Sequence, residues 1–222
     1  MPPDSFRYAQ FCPLARATEI LGQRWTLLVI RELLCGPQRF ADLKRRLTGV
    51  SPSVLTERLE ALERSGVVER REIGPPTPAR LYALTEHGEA LRPILLQLTR
   101  WGLRWLLPAV DGDHMEPDWI RLGVEAFASS DETPERRYEL TAVTDGSSTR
   151  VCLAGGARGT RIVPESTDVD LRIEAHPQTL IGLISGFLPA DQAEQQGAKF
   201  SGDRSALEDL PRLFRFVLEG GD

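Results

Sequence analysis

Residues 51–65, SPSVLTERLEALERS, fix more of this chain than any other stretch. Ser51 suits a helix N-cap and Pro52 the first helical position, where the missing N–H costs nothing. Gly49 stands before the segment and Gly66 directly after it, so the helix has a start and a stop. Leu55, Leu59 and Leu62 recur at i, i+4 and i+7 and form one apolar stripe. The opposite face carries Ser53, Thr56, Glu57 and Glu60, with Arg58 and Arg64 on the flanks. A short helix with small hydroxyls in its first turns and arginines beside them can enter a DNA major groove while its stripe stays on the parent domain.

The neighbouring segments complete a pattern. PLARATEIL (13–21) reads as a short helix opened by a proline, and RWTLLVIRELL (24–34) as a helix apolar almost all round, hence central. Gly36-Pro37 ends it. RFADLKRRL (39–47) places Phe40, Leu43 and Leu47 on one face and Lys44, Arg45 and Arg46 outside. The turn TGVS then leads to helix 51–65, and two helices joined by a short glycine-containing turn make a helix-turn-helix. VVERREI (67–73) and ARLYALT (79–85) read as strands around a GPPTP loop, which gives the winged-helix order and brings Arg70, Arg71 and Arg80 toward the hairpin tip. Glu86–Leu107 reads as one long helix, too apolar to stand alone and suited to pairing with the N-terminal segment of a second subunit.

Charge divides the chain. Residues 1–110 carry 16 Lys and Arg against 11 Asp and Glu, a net of +5, whereas residues 111–222 carry 11 against 21, a net of −10. Only the first half is suited to meet a polyanion, unless the split is simple variation between two domains. Lys44, Arg45, Arg46, Arg58, Arg64 and Arg80 are the candidate phosphate or base ligands, each equally open to being a solvated surface charge.

Several blocks in order then carry a resemblance: Cys12-Pro13, LGQRW (21–25), GPQRFADLKRRLTGVSPSVLTERLEALERSGVVERR (36–71), LYALTEHGEAL (81–91) and Trp101-Gly102. Over residues 10–107 the chain resembles the HxlR family, within the MarR-like group of dimeric winged-helix transcription regulators. The resemblance implies a homodimer on a near-palindromic double-stranded operator, most simply as a repressor. It implies base or backbone contacts from Ser51, Ser53, Thr56 and Arg58 and wing contacts around Arg80, to which the cations Lys44 and Arg45 are added from the residue pattern. Thr56→Ala and Arg58→Ala are then expected to weaken operator binding without lowering the melting point. Some regulators of this family sense oxidants through a cysteine at the Cys-Pro position. Cys12 is therefore either a redox-active thiol activated by Arg7 and Arg16 or a buried structural cysteine.

The three cysteines are odd in number and far apart, which argues against a disulfide framework and for a cytoplasmic protein. No long apolar run suggests a signal peptide or a membrane span.

LPAVDGDHMEPDW (107–119) reads as a linker. Beyond it, 119–129 reads as a helix, and 137–144, 149–156, 159–164 and 168–175 as strands. Helices over 177–188 and 189–196, a strand at 198–203 and a closing amphipathic helix over 205–218 complete an α+β domain with an antiparallel sheet. The run from Asp168 to Phe214 resembles the sterol-carrier-protein-like domain, through its Pro-started helix, LISG, the GAKFSGD segment and the closing helix. That resemblance, over 115–220, implies an apolar effector pocket lined by Leu180, Leu183, Ile184, Phe187, Phe200, Leu213 and Phe214. Plain core is the competing explanation of the same leucines, and a dimer brace is another role for the domain.

Catalysis finds no support. The three histidines sit in no metal-ligand spacing, and no phosphate loop, dinucleotide fingerprint or nucleophile elbow occurs. The expectation is therefore a non-enzymatic DNA-binding regulator without cofactor, metal or membrane partner. It comprises a winged helix-turn-helix domain (1–110) and a sterol-carrier-like α+β domain (111–222). The alternative is a carrier of lipid or small molecules whose winged helix mainly dimerises.

Overall fold

A computed structural model of the chain describes residues 7–73, 79–106 and 113–216. It divides into two compact units, Met1–Leu95 and Leu96–Asp222. The division falls earlier than the expected 110/111 join, and residues 107–112 of that linker lie outside the described residues.

The first unit runs α1 (Pro13–Leu21), α2 (Thr26–Leu34), α3 (Phe40–Arg46), α4 (Pro52–Arg64), β1 (Val68–Ile73), β2 (Ala79–Leu84) and α5 (Glu86–Glu89), into α6 (Arg92–Gly102). Its core is the inner stripe of each helix: Ile30 and Leu33 from α2, Leu43 from α3 with Leu47 just after it, and Leu55, Leu59 and Leu62 from α4 are all essentially without solvent contact. α4 begins as its sequence requires, with the Ser51 Oγ accepting from the Val54 N–H at 3.3 Å and Pro52 at the start of the helix. Two glycines bracket it. Gly49 (φ +89°) makes the turn out of α3 and Gly66 (φ +70°) ends α4, both in the left-handed region that side chains disfavour. β1 and β2 pair antiparallel with Glu72 opposite Arg80 and Arg70 opposite Tyr82. The loop 74–78 between them lies outside the described residues.

The long helix expected over 86–107 is broken. α5 stops at Glu89, α6 starts at Arg92, and a 3-10 turn follows over Leu103–Trp105. Pro93 explains the break: it cannot donate to the Glu89 carbonyl, its ring crowds that turn, and it fits only the first turn of a fresh helix.

The second unit contains α7 (Trp119–Phe127), β3 (Arg137–Thr144), β4 (Ser147–Ala154), β5 (Arg161–Val163) and β6 (Leu171–Ala175). There follow α8 (Pro177–Ile184), α9 (Ala190–Gln195), β7 (Lys199–Gly202), α10 (Ala206–Asp209) and a 3-10 turn over Leu210–Leu213. The sheet order is β5-β4-β3-β6-β7. It is mixed rather than antiparallel, because β6 runs parallel to β3, with Leu171 beside Tyr138 and Ala175 beside Ala142. A parallel return normally needs a long crossover. Here residues 164–170 suffice, because β5 is only three residues long and ends at Val163, level with the start of β3. The chain has three strand spacings to cross, roughly 14 Å, within the reach of seven extended residues at roughly 23 Å.

Tyr138, Leu140, Leu171 and Ile173 from the sheet meet Ile120 and Val124 of α7, Leu180 of α8 and Leu213 in one buried cluster. The helix expected over 177–188 ends at Ile184, and the one expected over 205–218 gives way at Pro211 to the 3-10 turn. Phe214 is then extended and bridges Ala128. Val217 and Leu218 of that expected helix lie outside the described residues.

Arg136 ties the sheet's margin together. Its Nε donates to Asp209 at 3.2 Å and its Nη1 to Asp203 at 3.0 Å, with Asp170 at 3.6 Å. The Ser205 hydroxyl and N–H, followed by Arg136, hold the Asp203 carboxyl below its usual range. A depressed carboxylate stabilises the fold above its unfolded pKa, about 4, and loses that contribution as the pH falls through its folded value. Asp203→Asn is therefore expected to melt below the parent chain at pH 7, with the gap narrowing as the pH drops under 4. Thermal melts at pH 7, 5, 4 and 3 check this, and a constant gap contradicts it.

Candidate nucleic-acid interface

The geometry of the helix-turn-helix rests on one buried carboxylate. Glu32, on α2, has no solvent contact. Its Oε2 accepts from the Arg46 Nε at 2.6 Å, and its Oε1 accepts from the Arg31 Nε at 3.0 Å and Nη2 at 2.6 Å. Arg46 is the last residue of α3, so this pair fixes the end of α3 against α2 where the chain turns toward α4. The residue pattern puts Arg46 outside with Lys44 and Arg45. The structure corrects it: Arg46 lies three residues past Leu43 on the same helical face and is buried, whereas Lys44 is half-buried and Arg45 exposed. Glu32 held the missed signal, since an acid within an otherwise apolar helix needs a cation brought to it.

From that turn α4 presents Ser53, Thr56, Glu57, Glu60 and Arg64 to solvent along one line. Ser51 is exposed too, but its hydroxyl caps the helix and lies 3.1 Å from the Ser53 Oγ. For Arg58, whose place beside Leu59 leaves open both a DNA contact and a brace through a carboxylate, the geometry favours the brace. Its side chain is only 11% exposed and pairs with Glu57, which stays 64% exposed. Its Nε is buried and, among the described residues, without a hydrogen-bond partner. Arg58 thus braces the helix from its flank, and the expectation that Arg58→Ala leaves stability untouched does not fit its burial. Thr56 sits on the open face.

The hairpin arginines are each matched by an acid. Arg70 reaches Glu63 of α4 at 2.8 Å and lies over the Tyr82 ring, 5.6 Å from its centre. Arg71 pairs with Glu69 at 2.7 Å, and the strongly exposed Arg80 lies 3.4 Å from Glu72. Arg70–Glu63 therefore docks the hairpin on α4. A second feature not read from sequence is a backbone bridge: the Gln38 N–H donates to the Tyr82 carbonyl at 2.9 Å and the Gln38 carbonyl accepts from the Tyr82 N–H at 2.8 Å, tying this residue to the edge of the hairpin.

Cys12 is in no disulfide, half-buried and the N-cap residue of α1. Arg16, expected to activate it, instead donates to both oxygens of Glu19, at 3.1 and 2.9 Å. In the second unit Leu180, Leu183, Ile184, Leu213 and Phe214 lie within the buried cluster and Phe200 packs at its edge. Phe187 does not join them: it follows the end of α8 and is 64% exposed. Among the described residues no group of three or more metal-ligating side chains gathers, and no helix is long and apolar enough to cross a membrane.

A family profile described as HxlR-like helix-turn-helix matches residues 20–109. The chain is 42% identical to the uncharacterized HTH-type transcriptional regulator YvaP of Bacillus subtilis (strain 168), over 46% of this chain and 94% of that protein. It is 36% identical to the HTH-type transcriptional regulator YodB of the same organism, over 44% of this chain and 88% of that one. The solved structure of reduced YodB from B. subtilis aligns with a TM-score of 0.40 and 32% identity, over 46% of this chain and 100% of that chain.

Removing one partner of the Glu32–Arg46 pair strands the other charge in the core. Arg46→Ala is expected to lower stability by about 3–5 kcal/mol, and the double change Glu32→Leu/Arg46→Met to recover most of it. Urea unfolding of the three proteins checks this; a loss of less than about 1 kcal/mol in Arg46→Ala contradicts a fold that leans on the pair.

Proposed function

The chain belongs to the HxlR-like helix-turn-helix family of transcriptional regulators, and we propose that it acts as a homodimeric repressor reading a near-palindromic operator with α4. The observation that carries this reading is the division of α4: Leu55, Leu59 and Leu62 are sealed in the core while Ser53, Thr56, Glu57 and Glu60 stand in line on the open side. A rod of that width with its polar line outward fits the major groove, its N-terminal half nearest the bases. Lys44 and Arg45, on the preceding helix, are the phosphate ligands, and Arg80 meets the backbone beside the groove. Ser51 contributes through the cap it makes, and Arg58 by holding Glu57.

Dimerisation draws support from α6. Ile94, Leu98, Trp101 and, in the following turn, Trp105 recur at i, i+4, i+7 and i+11, and all four are exposed. A stripe of that size left in water is a contact surface, and a second copy is the natural cover. Two α4 helices about 34–36 Å apart would enter successive grooves, blocking the duplex to other proteins. The second unit is the sensory part in this reading. Its sterol-carrier-like sequence pattern is the ground for an apolar effector; Leu180, Leu183, Ile184, Leu213 and Phe214 lie buried in its apolar cluster, as plain core also requires. Phe187, outside the cluster, takes no part in that lining. Cys12, half-buried and with Arg16 engaged by Glu19, is a structural residue rather than a switch in this reading.

Phosphate contacts release counterions, so binding falls with salt at a log–log slope near 0.9 per contact. Lys44→Ala removes two contacts from a dimer and is expected to reduce the slope by about 2, with base preference unchanged. Fluorescence anisotropy on a selected duplex across a salt series measures it. An unchanged slope removes Lys44 from the interface, and no duplex binding at low salt removes the regulator reading itself.

A further inference from the structure

The reading face of α4 carries two carboxylates, Glu57 and Glu60, in a place that would face a polyanion. Each negative charge there repels phosphates and weakens sequence-independent binding. Glu60 is balanced on its own face by Arg64, one helical turn on, at 3.8 Å. Glu57 is held differently. Its partner, Arg58, reaches it from the buried flank with its own side chain only 11% exposed, so the guanidinium anchors the carboxylate through Oε1 without covering it. Glu57 remains 64% exposed, in the second turn of the helix, on the line that runs from Ser53 to Arg64.

We propose that Glu57 is the specificity-determining residue of α4, accepting a hydrogen bond from a cytosine N4 amino group in the major groove. This rests on the DNA-binding reading above and adds which base is chosen. The chemistry is selective. An ionised carboxylate only accepts. Guanine presents two acceptors in the major groove and thymine one acceptor and a methyl group, so both repel or exclude it. Adenine's amino donor lies between two acceptors, its own N7 and thymine O4, whereas cytosine's has one on a single side only, the guanine O6. The anchored carboxylate loses little rotamer freedom when it binds, which favours the matched pair. Its charge penalises every other register on the duplex, so discrimination comes from repulsion as well as attraction. Arg58 is thereby a positioning residue, acting on DNA through Glu57.

The test uses the full chain and its Glu57→Ala and Glu57→Gln variants. A random duplex pool selected with the parent chain supplies the site, and each pair of one half-site is then replaced in turn at fixed salt. The parent should lose roughly 5- to 150-fold in affinity when one particular C·G pair is replaced. In Glu57→Ala that penalty should fall to about 2-fold or less, with the penalties elsewhere kept and affinity for unrelated duplex equal or higher. Glu57→Gln, nearly isosteric and so safe for folding, should move the preference at that position from cytosine toward adenine, because an amide both donates and accepts. Identical penalty profiles for parent and Glu57→Gln overturn the role of Glu57 while leaving the regulator intact. A parent chain that binds no duplex at low salt overturns both.

Discussion

Glu32 is the constraint on which the DNA-facing half depends. A fully buried carboxylate is tolerable only where cations come to it, and two arginines do, one from its own helix and one from the end of α3. An apolar contact would hold α2 to α3 as well, but it would accept a range of angles. A fork-shaped guanidinium on a carboxylate accepts few. The turn Leu47–Val50 follows directly, so the direction in which α4 leaves the core is set by this pair together with the left-handed Gly49. Trp25, itself at φ +76°, lays its ring beside that glycine, where a Cβ would come within 3.7 Å of it.

The disposition of charge separates holding DNA from choosing it. Of the first half's 16 Lys and Arg, several serve the protein: Arg31 and Arg46 neutralise Glu32, Arg58 holds Glu57, and Arg70 docks the hairpin on Glu63. The phosphate ligands proposed above, Lys44, Arg45 and Arg80, are a small set, and Arg80 itself lies 3.4 Å from Glu72. The second unit's surplus of acid adds repulsion rather than attraction. A regulator so charged would bind unrelated duplex weakly and rely on matched base contacts, the regime in which one acceptor on the reading helix makes a large difference.

Much of the fold was legible. The Ser51 cap, Pro52, Gly66 and the Leu55–Leu59–Leu62 stripe announced α4, and the structure begins and ends that helix where those residues require. Pro93 and Pro211 each break a helix that hydrophobic spacing alone would continue. The parallel β3–β6 pair could not be read from strand patterns, because what permits it is the shortness of β5. The site was legible in its residue types and less so in its phase. Arg46 and Arg58 lie at the border of the apolar stripe, where one helical position of 100° decides between water and core; Arg46 turned inward to the buried Glu32, whereas the largely buried Arg58 reaches the exposed Glu57. Phe187 left its expected place because α8 ends early, at Ile184.

The central claim is that two copies of α4 occupy successive major grooves of one duplex. Hydroxyl-radical footprinting on a selected operator tests it most directly. The account predicts two protected patches, symmetric about one centre and 10–10.5 base pairs apart, on one face of the duplex. A single patch, or protection without two-fold symmetry, would contradict it.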